Sequence, residues 1–459
     1  MNTFTFFTFI ISILLAFLCN ISIDGSVYYG ISFFLLFFYT INFIHSLGTQ
    51  ININQITILF GVLQLLLMPI VVYRIYNEDK NVIALLYNMN LDEKEYFSFV
   101  VPALIAMIIG LQIPLLSNYF KKEILQQSIY KIKMYLIGKS NIGLYLMIIG
   151  LSSGFFTPFL PSTLGYLSYL FSKLLYVGIL YIYFSDNKNK NYFLLGGIAG
   201  LLVNTIVQGM FGELIFTSIL ALLLIFLTQK ISSVKKITVC IVGFFLIIVL
   251  QTIKSDYRKA TWFGQKDANV SNTEIFFSLI INKISNPSSF FNKEDIFPTI
   301  VRFNQGMIQD KVMDYVPRIR PFAEGKTIYT SLAASLIPRF FWPDKPMSGG
   351  KWNMEYFTGL IIEGYSMNIG PLGEAYGNFG PKGGIYFMFF YGLFFNLALF
   401  ILFQICKNRP TILLWFPILF LNSIQVETDI LMTVNSLIKN SLFVAFCYWA
   451  SERFLRIRL

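Results

Sequence analysis

Apolar runs of 18 or more residues recur along the whole chain, separated by short polar stretches. A helix rises about 1.5 Å per residue, so roughly twenty such residues cross a hydrocarbon core of roughly 30 Å. The pattern predicts spans at residues 5–22, 26–47, 56–73, 97–118, 142–160, 163–184, 192–209, 211–228, 237–253, 384–405, 411–427 and 434–451. Spans seven and eight are barely separated, and the last three are interrupted by Asn, Glu and Asp. A β-barrel would also satisfy backbone polar groups in lipid, but runs such as Ile56–Tyr73 and Ile237–Ile253 do not alternate. The expected fold is therefore an all-α integral membrane protein of about twelve spans. One large loop interrupts it, dividing the chain into residues 1–253, 254–383 and 384–459.

Composition agrees with this reading. Hydrophobic residues make up 56% of the 459 and charged residues 13%, about half the soluble average. Cys19, Cys240, Cys406 and Cys447 all lie in or beside apolar runs, none in the large loop, so structural disulfides are not expected. The first apolar segment has no basic region before it and reads as a retained span rather than a signal peptide.

Charge sets the orientation. Lys121, Lys122, Lys131, Lys133 and Lys139 follow span four, Lys188 and Lys190 follow span six, and Lys230, Lys235 and Lys236 follow span eight. Lys407 and Arg409 follow span ten, and Arg453, Arg456 and Arg458 end the sequence. All fall on one side if both termini are cytoplasmic, as the positive-inside rule requires. The net charge of +11 then reflects topology, and no nucleic-acid partner is expected. Between Lys121 and Lys139, Leu125, Ile129, Ile132 and Leu136 share one helical face, which predicts a helix lying on the membrane surface. No internal repeat is visible, and Lys173, Glu213 and Lys439 stand in apolar runs without an obvious partner. Both features weigh against a transporter built of paired repeats.

The large loop holds fifteen basic and twelve acidic residues among aromatics, prolines and apolar stretches. A linker would be rich in Gly and Ser or in Pro, so a folded element is expected, partly dipping to the membrane. Several clusters in it stand out. Gln251-Thr-Ile-Lys254-Ser-Asp-Tyr257-Arg258 puts Lys254 and Arg258 one helical turn apart. Arg302-Phe-Asn304-Gln305 reads as a surface turn. Val316-Pro317-Arg318-Ile-Arg320-Pro321 holds its arginines on extended or turning backbone. Ile337-Pro338-Arg339-Phe-Phe-Trp342-Pro343-Asp344-Lys345-Pro346 joins a rigid backbone, two cations, a carboxylate and an aromatic platform. Gly370-Pro-Leu-Gly373-Glu374-Ala-Tyr376-Gly377-Asn378-Phe379-Gly380 leads into span ten, its glycines permitting close backbone approach. Each also has a plain structural reading as an interfacial turn or solvated face.

The chemistry these residues offer is limited. Nucleotide-binding loops and metal-ligand spacings are absent, and the single histidine, His45, lies at the opposite end of a span from the loop. Arginines at a membrane interface suit a diphosphate, which they grip bidentately. Tryptophan and tyrosine faces suit sugar rings, and a carboxylate suits activation of a hydroxyl. Together they sketch metal-independent and cofactor-free glycosyl transfer from a lipid-linked diphosphate.

In the order of these motifs, residues 251–384 resemble the oligosaccharide repeat-unit polymerases, the Wzy-type O-antigen and exopolysaccharide polymerases of bacteria. The likeness rests on Gln-x-x-Lys-x-x-x-Arg, Pro-Arg-x-x-Trp-Pro-x-Lys-Pro and Gly-Glu-x-Tyr-x-Asn-Phe-Gly; elsewhere it is one of topology, of the broad GT-C-like kind. The resemblance implies a protein of the bacterial inner membrane whose loop faces the periplasm. It also implies undecaprenyl-diphosphate-linked oligosaccharide as substrate, an inverting displacement, and a chain-length-regulating co-polymerase as a potential partner beside membrane lipids. Arg339, Lys345 and Arg258 fall in the matching motifs as diphosphate-binding residues, to which charge and position add Arg318 and Arg320. Trp342, Tyr376 and Asn378 are the expected sugar contacts, and Glu374, then Asp344, the expected base. The related O-antigen ligases depend on a histidine in that loop, which this chain lacks. A polysaccharide flippase is the non-enzyme alternative, and it would line a cavity within the spans with cations.

Overall fold

The computed structural model describes residues 3–76, 87–116, 122–156, 159, 162–209, 211–262, 270–286, 292–337, 340–346, 350–361 and 367–459. Among these the protein is all-helical. Its helices are α1 (Thr3–Ser22), α2 (Val27–Ser46), α3 (Ile53–Tyr76), α4 (Glu93–Gln112), α5 (Lys122–Leu136), α6 (Ser140–Phe156), α7 (Gly165–Phe184), α8 (Lys190–Gln208), α9 (Phe211–Phe226) and α10 (Ser233–Trp262). There follow α11 (Asn272–Ser285), α12 (Lys293–Phe303), α13 (Gly306–Tyr315), α14 (Lys326–Leu336), α15 (Lys351–Thr358), α16 (Gly370–Asn408) and α17 (Ile430–Phe454). Nine are long and apolar enough to cross a membrane, ten if the bent pair of α5 and α6 forms one span. This is a multi-pass helical membrane protein.

Several expected elements take a different form. In the expected surface helix, Leu125–Leu136 of α5 is followed by an 89° bend into Ser140–Gly154 of α6. Its apolar face, however, meets protein: Leu125, Ile129, Ile132 and Leu136 are buried in one cluster with Leu414, Trp415 and Phe416. Where a span was expected at 411–427, Pro410–Trp415 forms a 3₁₀ turn and Phe416–Leu419 one short helical turn. Pro410 and Pro417 supply no backbone N–H and break the ladder. The freed carbonyl of Ile418 accepts a hydrogen bond from the Asn440 amide at 2.7 Å. Irregular backbone at membrane depth survives only where protein or a cavity covers it, and residues 411–421 are buried throughout.

The helix expected from residue 384 starts at Gly370. It kinks at Gly380, whose φ of 67° favours glycine, just before Pro381. Its main partner is α4. A Cβ on Gly392 would lie 2.2 Å from the Met107 carbonyl oxygen, and one on Gly110 2.2 Å from that of Phe389. Small residues let these two backbones meet, the usual glue between helices in lipid. Asn396 seals the contact by donating to the carbonyls of Gly110 and Ile113 at 3.2 and 2.8 Å. Gly392→Leu is expected to force the pair apart at a cost of about 3 kcal/mol, read as loss of a monodisperse peak in fluorescence-detected gel filtration.

The large loop is folded into the same body. Lys254 and Arg258 belong to α10 rather than to the loop. Met307, Ile308, Val312 and Met313 of α13 share the main core with Leu65, Leu66, Tyr96 and Phe97 of α3 and α4. Asp310 latches this packing. Its buried carboxylate accepts the amides of Asn90 and Leu91 at 2.6 and 2.9 Å. Burial lifts the Asp310 carboxyl from its ordinary 3.8 to about 6, against those two amides and Lys311, which favour the charged form. The protonated carboxyl therefore favours the fold: its stabilisation is full below about pH 4 and is lost as pH rises through 6. We expect Asp310→Asn to remove up to about 3 kcal/mol of pH dependence across that window. The check is whether the difference in melting temperature between wild type and variant changes from pH 4 to 7.

Candidate functional site

A cavity of about 450 Å³ opens between α7, α9, the broken segment 417–427 and the first half of α17. Charged groups reach it from several elements. Lys173, at the break within α7, is buried and ion-paired with Glu213 at the start of α9. Its ammonium also lies 3.9 Å from the centre of the Tyr169 ring, whose hydroxyl donates to Glu213 at 3.2 Å. On the same wall Arg302, at the end of α12, meets Glu427 at 2.5 Å. Glu427 also accepts from Gln64 at 3.3 Å. Gln64 sits in a π-helical turn (Leu63–Leu67) of α3, the kind of insertion that re-aims a side chain out of a regular helix.

Behind Arg302, Lys254 and Arg258 descend from α10, and Lys254 lies within electrostatic reach of Arg302, Arg258 and Glu427. Arg258 donates to the Gly209 carbonyl at 3.1 and 3.3 Å. Two further basic residues thus stand behind the Arg302–Glu427 pair in partly desolvated surroundings, where charge interactions are stronger than in water. The neighbouring Lys173–Glu213 pair is neutral overall. The cluster holds more basic than acidic side chains, and an oxyanion beside Arg302 would find donors there. Polar side chains with free capacity face the same hollow: the Asn435 amide oxygen is buried without a hydrogen-bond partner, and Asn422 and Gln425 line the wall.

The residues singled out from the sequence are distributed over three places. Arg258 joins the cluster just described. Arg318 is exposed and pairs with Asp314 at 2.8 Å and Glu95 at 3.5 Å, while Arg320 lies 4.2 Å from the Tyr356 ring centre. Tyr376 is held edge-on between Phe99 and Phe322, at 4.8 and 5.9 Å. Lys345 closes the end of α14 by donating to the carbonyls of Ala334 and Ile337, both at 2.7 Å. Trp342 is half-buried and Asp344 exposed. Arg339 lies outside the described residues.

Glu374 and Asn378 form a third group, wholly inside the protein. Glu374 accepts the Ile430 amide at 2.7 Å. Asn378 donates to the Thr327 hydroxyl and the Glu374 carbonyl, each at 2.7 Å. Beside them Asp429 caps α17 through the Met432 amide at 2.6 Å. Burial pushes the Asp429 carboxyl above its ordinary range, opposed by the amides of Met432 and Gly350. Glu374 fixes the turn that follows Glu427, and so the carboxylate that Arg302 meets.

Sequence reading missed Arg302, taken for a surface turn, and the pairing of Lys173 with Glu213, taken for lone charges. Opposite charges in two apolar runs were the available signal: neither survives in lipid unpaired. Gln64, a single amide in the apolar run 56–73, carried a weaker one.

Fold and cavity define a multi-pass helical membrane protein with a cleft between its spans that holds the Lys173–Glu213 and Arg302–Glu427 ion pairs. The chain belongs to the family of a domain of unknown function (DUF8712), whose model matches residues 124–400. Comparison with curated proteins and with solved structures gives no match.

Proposed function

We propose that the protein is a membrane glycosyltransferase that polymerises oligosaccharide repeat units carried on a lipid diphosphate. The observation that supports this reading best is Arg302 at the wall of a cavity with amide and tyrosine sides, backed by the basic residues Lys254 and Arg258 of α10. In this reading the diphosphate of the donor lies against Arg302, with Lys254 and Arg258 behind it. Tyr166 and Tyr169, each with a lysine over one ring face, present their remaining surface to sugars, and Asn422, Gln425 and Asn435 offer hydrogen bonds. The acceptor hydroxyl attacks the anomeric carbon as the bond to the diphosphate breaks. The diphosphate leaves with the electron pair, stabilised by the cations, and the hydroxyl proton passes to a carboxylate. Glu427 is the carboxylate nearest the cluster, ahead of Glu374 and Asp344. Arg318, Arg320 and Lys345 then guide the lipid-linked chain at the loop surface, with Trp342, Tyr376 and Asn378 supporting that loop; Arg339 keeps the diphosphate-binding role its motif implies.

The finer topology belongs to the same proposal: about twelve passes of the polymerase type, both termini cytoplasmic and the loop in the periplasm of a bacterial inner membrane. Undecaprenyl-diphosphate oligosaccharide is the expected substrate. A polysaccharide flippase is the second reading, favoured by the position of Lys173 and Glu213 between the spans. A deletion strain and its complemented parent separate the two on a polysaccharide gel. Collapse of the ladder to single repeats on the outer face supports the polymerase. Single repeats held on the cytoplasmic side support the flippase.

A further inference from the structure

A second cavity, of about 820 Å³, runs along the opposite face of α17 between that helix and α16. Leu397, Ile401, Leu442, Ala445 and Trp449 line it, and it is apolar almost throughout. From Leu437 to Glu452 it follows about 22 Å of helix, more than the roughly 15 Å depth of one leaflet's hydrocarbon. At its end stand Arg409 and Glu452, paired at 3.2 Å and each partly exposed. The same two residues, with Asn408, Thr411, Tyr448 and Arg458, line an adjoining hollow of about 390 Å³. An apolar trough therefore opens directly into a polar chamber carrying both signs of charge.

We propose that this trough and chamber hold one resident zwitterionic aminophospholipid. A chain lying in the trough gains little over a chain in bulk bilayer, because lipid tails are as apolar as leucine. Selection must come from the head group. A phosphate accepts hydrogen bonds from the Arg409 guanidinium, with Arg458 in the same chamber. A primary ammonium donates to Glu452, replacing the contact that Glu452 makes with Arg409. A choline head carries the same charge but has no N–H to donate, and a glycerol head leaves Glu452 without a cation. The site is independent of the proposed polymerase activity.

Trp449 reports occupancy. The full-length protein is reconstituted in phosphatidylcholine nanodiscs and titrated with phosphatidylethanolamine, phosphatidylglycerol or phosphatidylcholine bearing brominated chains. The Trp449 signal is the difference from Trp449→Phe. Brominated phosphatidylethanolamine is expected to quench it at about tenfold lower mole fraction than the other two. Glu452→Gln should bring phosphatidylethanolamine and phosphatidylcholine to parity, and Arg409→Gln should weaken quenching by all three. Equal quenching by the three lipids in the wild type means annular lipid only and overturns the proposal, whatever the variants do. Preference for phosphatidylglycerol also overturns it, since the head would then be read by charge alone.

Discussion

Alanine at Arg302 is expected to abolish polymer while lipid-linked single repeats accumulate. Two effects combine. The cluster loses the cation that contacts Glu427, and Glu427, its side chain 13% exposed, is left as a charge with little solvent around it. The Arg302 side chain is 40% exposed and Lys254 lies within electrostatic reach of Glu427, so the cost should fall below the roughly 3–5 kcal/mol of a fully buried pair, and abundance should fall modestly. Arg302→Ala with Glu427→Gln removes the stranded charge and should restore abundance without restoring synthesis. Arg302→Lys keeps the charge but not the planar donor fork, and is expected to retain about a tenth of the activity or less. Immunoblots and polysaccharide gels from the same cells read both quantities. Polymer made at the parental level by the double variant would mean that the cation cluster does not bind the donor.

The second large effect is expected at Glu374. Its carboxylate accepts the Ile430 amide inside the protein, and Glu374→Ala would leave that N–H buried and unsatisfied, at about 1–3 kcal/mol. The turn from Glu427 to Ile430 would loosen, and the grip of Arg302 on Glu427 with it. Glu374→Gln retains an acceptor oxygen. If Glu374 positions the turn, the glutamine variant keeps most of its thermal stability and polymer. If it is the base, glutamine abolishes polymer at unchanged stability. The pair of variants thus assigns the role of the acidic residue most prominent in the sequence.

What could be read from the sequence was what depends on local pattern. Runs of apolar residues locate α1 to α3, α7, α8, α9 and α17 within a few residues of their observed ends, because length and hydropathy alone decide whether a helix suits lipid, whereas α10 continues well past the end of its apolar run. The break at Pro410 and Pro417 was visible as two prolines, yet its outcome depends on Asn440 reaching Ile418 from another helix. The site divides the same way. Arg258 and Lys254 announced themselves by one-turn spacing, whereas Arg302 became conspicuous only once Glu427, 125 residues further on, was found against it. The Gly373–Gly380 motif was legible as a place of close approach but not as an interior one. Gly377 has the Phe357 ring where a Cβ would stand, and such packing has no signature in a single sequence.

The interrupted segment has a consequence for how the protein is made. Pro410–Leu419 is too short and too broken to hold a place in lipid unaided, so its membrane position depends on α17, which follows it in synthesis. The carboxyl-terminal part of the bundle is therefore assembled as a unit, after Asn440 and the rest of α17 have been made. Topology reporters fused between 410 and 430 would separate the segment from the helix that retains it. They would record the behaviour of a truncated chain, and assignments for this stretch require tags inserted into the full-length protein.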